Sequence, residues 1–173
     1  KILLKFAKKC FLGLPLIDIQ KNGHFELTGN PIRKILLEPD QEYDIASIYI
    51  TGGSQGANYL NDVIPKALNK VNQRLRVVHQ AGQGSSELVI NTYLKNKFDL
   101  LVVKDFFDDP FVEIQKADFV ISRSGALSVS EITSLNKGGL YIPLHNSIDD
   151  HQMHNAKYAV GVGMGEIFSE SES

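Results

Sequence analysis

The 173-residue sequence contains a single cysteine, Cys10, so no disulfide can form within the chain. A lone thiol suits a reducing compartment. Charge of either sign is also scarce in excess. The formal net charge is −2, too small for a global field that would recruit nucleic acid or an anionic membrane. No apolar run reaches the roughly 20 residues that a membrane-spanning helix needs, and no stretch is laid out as a secretory signal. Internal repeats are missing, and low complexity is confined to Ser169–Ser173. Two familiar nucleotide signatures are missing as well. No Gly-Lys-Ser/Thr follows a glycine-rich turn, which excludes a P-loop. The dinucleotide fingerprint fails on glycine spacing, and its second strand would end in an acid where this chain has His79-Gln80. The chain begins without methionine and stops in a Ser/Glu run, so we expect a segment of a longer protein.

Hydrophobic residues make up 43% of the sequence, enough for one well-packed domain. From Asp44 onward, short β-rich runs alternate with longer helical ones. Strands are predicted over Ile45–Ile50, Leu75–His79, Leu100–Val103, Phe119–Ile121 and Leu140–Ile142, with a sixth over Glu166–Phe168. Helices are predicted over Asn58–Val71, Ser85–Lys95, Pro110–Gln115, Leu127–Leu135 and His151–Val160. Strands that are apolar on both faces and separated by helices imply a parallel sheet covered on both sides. The expected fold is therefore α/β, a doubly wound parallel sheet of Rossmann-like type, with ligands at the carboxyl ends of the strands. The first forty residues read differently. Lys1–Phe11 is a candidate basic amphipathic helix ending near Gly13 and Pro15, and Thr28–Arg33 is a turn-rich connector. The expected division is residues 1–40 and 41–173.

Two turns carry the functional signal. Thr51-Gly52-Gly53-Ser54-Gln55-Gly56-Ala57 follows the first strand of the alternating region. Its glycines permit positive φ and close backbone approach, as a phosphate-cradling turn requires, and Ser54 offers a hydroxyl. A plain tight turn is the alternative. Ile121–Glu131 leads from an apolar run through Ser122-Arg123-Ser124-Gly125 into a helix. Helix-start N–H groups lack internal partners and carry partial positive charge, which favours phosphate oxygens. Glu131, a turn and a half deeper, repels phosphate but accepts hydrogen bonds from sugar hydroxyls. A diphosphate joined to a ribose satisfies both. The alternative is a serine-capped helix with Glu131 on the surface.

Other segments admit more than one role. In Asp105-Phe106-Phe107-Asp108-Asp109-Pro110, Phe107 can present an apolar face and backbone groups to a flat base. The acids suit either a cation or capping of the helix at Pro110. In Asp149-Asp150-His151-Gln152-Met153-His154-Asn155, the histidine spacing fits zinc and the acids fit helix capping. Gln152 can instead read sugar hydroxyls, since an amide both donates and accepts. Arg33, just before the sheet, can reach a diphosphate or form a surface ion pair. No G-x-S-x-G elbow surrounds Ser122 or Ser124, which argues against a hydrolase triad.

Gly29-Asn30-Pro31-Ile32-Arg33, Gly52–Ala57, Ser122–Glu131 and Asp149–Gln152 together, in this order, resemble the MurG family of bacterial peptidoglycan glycosyltransferases. The resemblance spans Lys1 to Phe168. It implies the C-terminal half of a GT-B enzyme, with residues 1–40 forming the end of the N-terminal domain and the interdomain linker. The implied reaction transfers GlcNAc from UDP-GlcNAc to lipid I (undecaprenyl-diphosphate-MurNAc-pentapeptide), with inversion, to form lipid II. The implied location is peripheral, on the cytoplasmic face of the bacterial inner membrane.

Carried over onto this sequence, Ser54 and the N–H groups around Ala126, Leu127 and Ser128 bind the diphosphate, with Arg33 at the same end of the donor. Phe107 pairs its backbone with uracil, Glu131 holds the ribose, and Gln152 reads GlcNAc. No metal and no cofactor are implied. None of the five histidines inherits the family's catalytic role, which is expected in the N-terminal domain together with the lipid I surface. Asn136-Lys137-Gly138-Gly139 departs from the family's Gly-Leu-Pro-like turn. Readings from other classes are a nucleotide-sugar-binding module without catalysis, or another GT-B enzyme such as a UDP-GlcNAc 2-epimerase.

Overall fold

A computed structural model of the chain describes residues 7–15, 24–32, 45–53, 56–144 and 150–170. Two short strands, β1 (Cys10–Leu12) and β2 (Phe25–Leu27), pair in parallel. The alternating region follows as β3 (Ser47–Thr51), α1 (Asn58–Leu68), β4 (Arg76–Gln80), α2 (Ser86–Thr92), β5 (Leu100–Lys104), α3 (Pro110–Lys116), β6 (Phe119–Ser122), α4 (Ala126–Ser134), β7 (Gly138–Tyr141), α5 (His151–Gly161) and β8 (Gly165–Ile167). A 3-10 turn over Lys95–Lys97 ends the segment that the sequence reads as one longer helix from Ser85. The six strands β3–β8 form one sheet in the order β5-β4-β3-β6-β7-β8, and every ladder is parallel. This is the doubly wound arrangement expected from the sequence.

The predicted helix over Lys1–Phe11 is corrected where the structure describes it. Cys10–Leu12 is extended, and the Cys10 N–H donates to the carbonyl of His24 at 2.7 Å. A tertiary strand partner outweighs local amphipathicity there, and residues 1–6 lie outside the described residues. The adjoining connector is anchored to the sheet layer. Asn30 donates from Nδ2 to the Ala126 carbonyl at 3.2 Å and to Ser130 Oγ at 2.9 Å, both in α4. Gly13 permits this, because a Cβ there would lie 1.8 Å from Asn30 Oδ1.

Each face of the sheet has its own core. Leu60, Ile64 and Leu68 of α1 recur every four residues and pack with Val89 of α2 onto Ile50, Val77 and Ile121. Ile114 of α3, Val129 and Ile132 of α4, and Ala156 and Ala159 of α5 pack onto Tyr49, Val120 and Tyr141. Burying each of the larger aliphatic side chains contributes about 1.5–3 kcal/mol. The Asn136–Gly139 departure is structurally coherent. Asn136 adopts φ 59°, its N–H donates to the Thr133 carbonyl, and the Lys137 N–H donates to that of Ile132, both at 3.1 Å. That is a Schellman ending with asparagine in glycine's usual place. The glycines that follow leave room for aromatic rings, since a Cβ on Gly139 would lie 2.8 Å from the Tyr141 ring.

A buried polar cluster joins α1, β4 and α2. His79, with no exposed surface, has Nδ1 2.9 Å from Tyr93 Oη and Nε2 3.1 Å from Asn61 Oδ1. Asn61 Nδ2 donates to the Ala81 carbonyl at 2.8 Å, which fixes the amide's orientation. His79 Nε2 therefore carries the proton, and Tyr93 donates to Nδ1. Burial lowers the His79 pKa from 6.5 to about 4. The unfolded chain thus binds the additional proton between those values. Stability is full above pH 6.5 and falls as pH drops toward 4, by about 3 kcal/mol at most. Urea unfolding between pH 7 and pH 4 should show this loss, and His79→Gln should flatten it. An unchanged slope in the variant would assign the acid sensitivity to other groups.

Candidate functional site

The strand order reverses between β3 and β6. Crossovers leave these two neighbours in opposite directions, opening a crevice at their carboxyl ends. Thr51 at the end of β3 is in register with Ser122 at the end of β6. The two turns singled out in the sequence, Thr51–Ala57 and Ser122–Gly125, therefore begin side by side.

Both turns feed helices whose first turns have no side-chain cap. Ala57 precedes α1 and Gly125 precedes α4, each in extended conformation, and neither accepts from the helix through a side chain. The serine-cap alternative thus fails for α4, because the capping position is Gly125. The first intrahelical bond there is the Val129 N–H to the Gly125 carbonyl at 2.9 Å. The N–H groups of Ala126, Leu127 and Ser128 are left at the positive end of the helix dipole. The Ser122 and Ser124 hydroxyls are fully buried and have no hydrogen-bond partner among the described residues. Gly53 and Gly56 adopt φ 82° and 73°, and a Cβ on Gly56 would lie 2.5 Å from the Ala81 carbonyl. Glycine is thus required for the close approach of this turn to the end of β4. Ser54 and Arg33 lie outside the described residues.

The remaining described candidates, Phe107, Glu131 and Gln152, lie on the segments that follow β5, β6 and β7. Phe107 follows β5 and is half-buried. Its ring meets Tyr49 edge-on at 6.1 Å, with Lys104 Nζ 5.2 Å from the ring centre. Its N–H donates to Gln80 Oε1 at 3.2 Å, so the carbonyl is the backbone group left to meet a base. Glu131 lies in the second turn of α4, near enough for its charge to act on the Tyr49 phenol. Burial first, then the charges of Glu113 and Glu131, raise the Tyr49 pKa well above its ordinary value, against a lowering contact with Thr51. Gln152, in the first turn of α5, accepts the Leu144 N–H on Oε1 at 3.0 Å, which directs its NH2 elsewhere.

The acidic segments are largely committed to the scaffold. Asp105 accepts the N–H groups of Gly84, Ser85 and Ser86 at 2.8–3.1 Å, which lowers its pKa and caps α2. Asp109 caps α3 through the Phe111 N–H at 3.1 Å, as expected for the segment before Pro110. The acid cap expected for α5 is not made by Asp150, which adopts φ 51° and makes no side-chain cap bond. Asp149 lies outside the described residues. Among the described residues, no three His, Cys, Asp or Glu side chains gather as a metal site would need.

Three polar residues that hold the site together carried no role in the sequence reading. Gln80 bridges the turn after β3 and the loop after β5. Asn155 Nδ2 donates to the Ser124 carbonyl at 3.0 Å, tying α5 to the turn before α4. Arg123 Nη1 donates to the carbonyls of Ile142 and Pro143 at 3.0 and 3.3 Å, and Nη2 pairs with Glu170. The available signal for Gln80 and Arg123 was polarity itself, since each ends an apolar run where a buried polar group requires a partner.

An open doubly wound sheet with paired, uncapped helix starts at its order reversal has the architecture of one half of a GT-B fold. Residues 47–173 match the family model of the glycosyltransferase family 28 C-terminal domain, and the chain belongs to that family. Curated relatives are named UDP-N-acetylglucosamine–N-acetylmuramyl-(pentapeptide) pyrophosphoryl-undecaprenol N-acetylglucosamine transferase. Those from Hydrogenovibrio crunogenus and Vibrio atlanticus are 34% and 36% identical over 99% and 98% of this chain. The chain spans about half of their length, 49% in each case. Among solved structures, MurG of Acinetobacter baumannii superposes with a TM-score of 0.72 at 32% identity, covering 77% of this chain and 39% of that one. The calicheamicin glycosyltransferase CalG4 shares the fold, with a TM-score of 0.66 at 12% identity over 95% of this chain and 41% of its own.

The Arg123 clamp gives a prediction for stability. Its side chain is 11% exposed and that of Glu170 is 21% exposed. Arg123→Met should cost roughly 3 kcal/mol in chemical denaturation, because it strands a half-buried carboxylate and two carbonyls. Glu170→Gln, which leaves the carbonyl contacts in place, should cost clearly less. Equal costs would mean that the ion pair alone carries the clamp.

Proposed function

We propose that this chain is the donor-binding part of an inverting glycosyltransferase. The reaction moves GlcNAc from UDP-GlcNAc to the C4 hydroxyl of the MurNAc unit of lipid I, forming lipid II for peptidoglycan. The observation that carries this reading is the pair of uncapped helix starts at the order reversal. They occur in a chain about a third identical, along nearly its whole length, to transferases named for that reaction.

In this reading the N–H groups of Ala126, Leu127 and Ser128 bind the diphosphate, joined by Ser54 and Arg33. The Phe107 carbonyl accepts the imide N–H of uracil. Glu131 accepts the ribose hydroxyls, and the Gln152 NH2 donates to GlcNAc. As the glycosidic bond breaks, charge builds on the departing diphosphate. Fixed N–H dipoles stabilise that charge without having to reorganise. Inversion also needs a base and an acceptor held in line behind the anomeric carbon. Both are assigned to the N-terminal half of the full enzyme. Its lipid acceptor places the reaction at the cytoplasmic membrane surface, with peripheral attachment. Among the described residues, no helix is long and apolar enough to cross a membrane.

Calorimetric titration in EDTA should show binding of UDP-GlcNAc in preference to UDP-GalNAc, and no transfer to lipid I by this chain alone. Glu131→Ala should weaken UDP and UDP-GlcNAc alike, by about ten-fold for the loss of one or two hydrogen bonds to a charged group. Gln152→Ala should leave UDP unchanged and erode the preference for GlcNAc. A folded chain that binds neither nucleotide would sink the donor-site reading. Transfer by this chain alone would sink the assignment of the base to another domain.

A further inference from the structure

Gln80 is the last residue of β4, the strand between β3 and β5, and is 3% exposed. Its backbone is in register with Thr51 on one side and Lys104 on the other. Its side chain makes three contacts, divided between two loops. Nε2 donates to Thr51 Oγ1 at 3.2 Å and to the Gly53 carbonyl at 3.3 Å, both in the turn that leads to α1. Oε1 accepts the Phe107 N–H at 3.2 Å, in the loop that leads to α3. Chemistry fixes the amide's orientation at both ends, because a backbone N–H can only donate and a carbonyl can only accept. The contacts on the turn are shared. Thr51 Oγ1 also accepts the Gly53 N–H, and the Gly53 carbonyl also accepts the Gly56 N–H, each at 3.1 Å. The turn is thus folded around the same two oxygens that Gln80 holds. Glutamate would match Phe107 but present no N–H to Gly53, and an apolar residue would match neither side.

We propose that Gln80 is a positioning residue that fixes the separation between the diphosphate-binding turn and the base-binding loop. The two ends of a nucleoside diphosphate are then bound as one unit. The inference rests on the donor-site reading above. It goes beyond that reading by assigning a role to a side chain that touches no part of the ligand. A tie between subsites has a distinctive signature. Separate fragments can each seat themselves whatever the spacing, whereas the joined ligand requires the correct spacing.

The test compares wild type, Gln80→Met and Gln80→Glu. Affinities for UDP, uridine and pyrophosphate are measured by amide chemical-shift titration, with thermal melting as the control for folding. In Gln80→Met, UDP binding should weaken by about ten-fold while uridine and pyrophosphate each change by less than about two-fold, on the scale of one or two lost hydrogen bonds. The Phe107 amide should exchange with solvent faster. Gln80→Glu should keep the slow Phe107 exchange and still lose UDP affinity, and it decides the matter if the methionine variant does not fold. Fragment affinities that fall as far as that of UDP would overturn the proposal, since Gln80 would then shape a single subsite or the fold at large. Unchanged UDP affinity in folded variants would overturn it too. Wild type that binds no UDP would instead remove the donor-site reading itself, and this inference with it.

Discussion

The reversal of strand order between β3 and β6 is the constraint on which the site depends. Two parallel neighbours send their crossovers to opposite faces, which opens a crevice between their carboxyl ends. The helices that follow start there with unspent N–H groups. In most settings an acidic or hydroxyl side chain would satisfy them. Ala57 and Gly125 occupy the capping positions and offer no oxygen. The fold therefore concentrates partial positive charge at one edge of a sheet that is otherwise neutralised, and it does so in a chain of net charge −2. The attraction for an anion is local, and it arises from topology rather than composition.

Unspent donors are useful only if they are held still, and the surrounding polar residues serve that end. Asn155 fixes the turn before α4, Arg123 joins the ends of β6 and β7 to Glu170, and Gln80 joins two loops across β4. Asn30 extends the same lashing to the connector, by bonding the carbonyl of Ala126 in the first turn of α4. The His79–Asn61–Tyr93 cluster secures the start of α1 from beneath. Apart from the exposed Asn30–Ala126 bond, each tie is a buried or half-buried polar contact. Each therefore costs more to break than it contributes when made, which favours one arrangement over near neighbours.

The alternation of strands and helices was legible because parallel strands buried on both faces read as plain apolar runs. The glycine-rich and serine-rich turns were legible because positive φ and tight approach leave few residue choices. The strand at Cys10–Leu12 was not legible. It is three residues long, and its partner at Phe25 is set by tertiary contact, while the lysines that precede it suggest an amphipathic helix. The ties were also hidden. Gln80 and Arg123 look like ordinary polar residues at strand ends, and only the register of three neighbouring strands shows what each can reach. The early end of α2 has a similar cause. Asn69 bonds the Thr92 carbonyl and the Leu94 N–H, satisfying groups that a longer helix would have used itself.

The donors at the start of α4 belong to the main chain, and this bears on how such a protein can change over generations. A substitution at Leu127, whose side chain is 58% exposed, alters the surface but leaves the amide where it was. Among the twenty residues only proline deletes that hydrogen. The positive edge is thus written in a part of the molecule that codon changes seldom reach. Sequence can drift widely around it while the electrostatic character of the crevice is inherited intact.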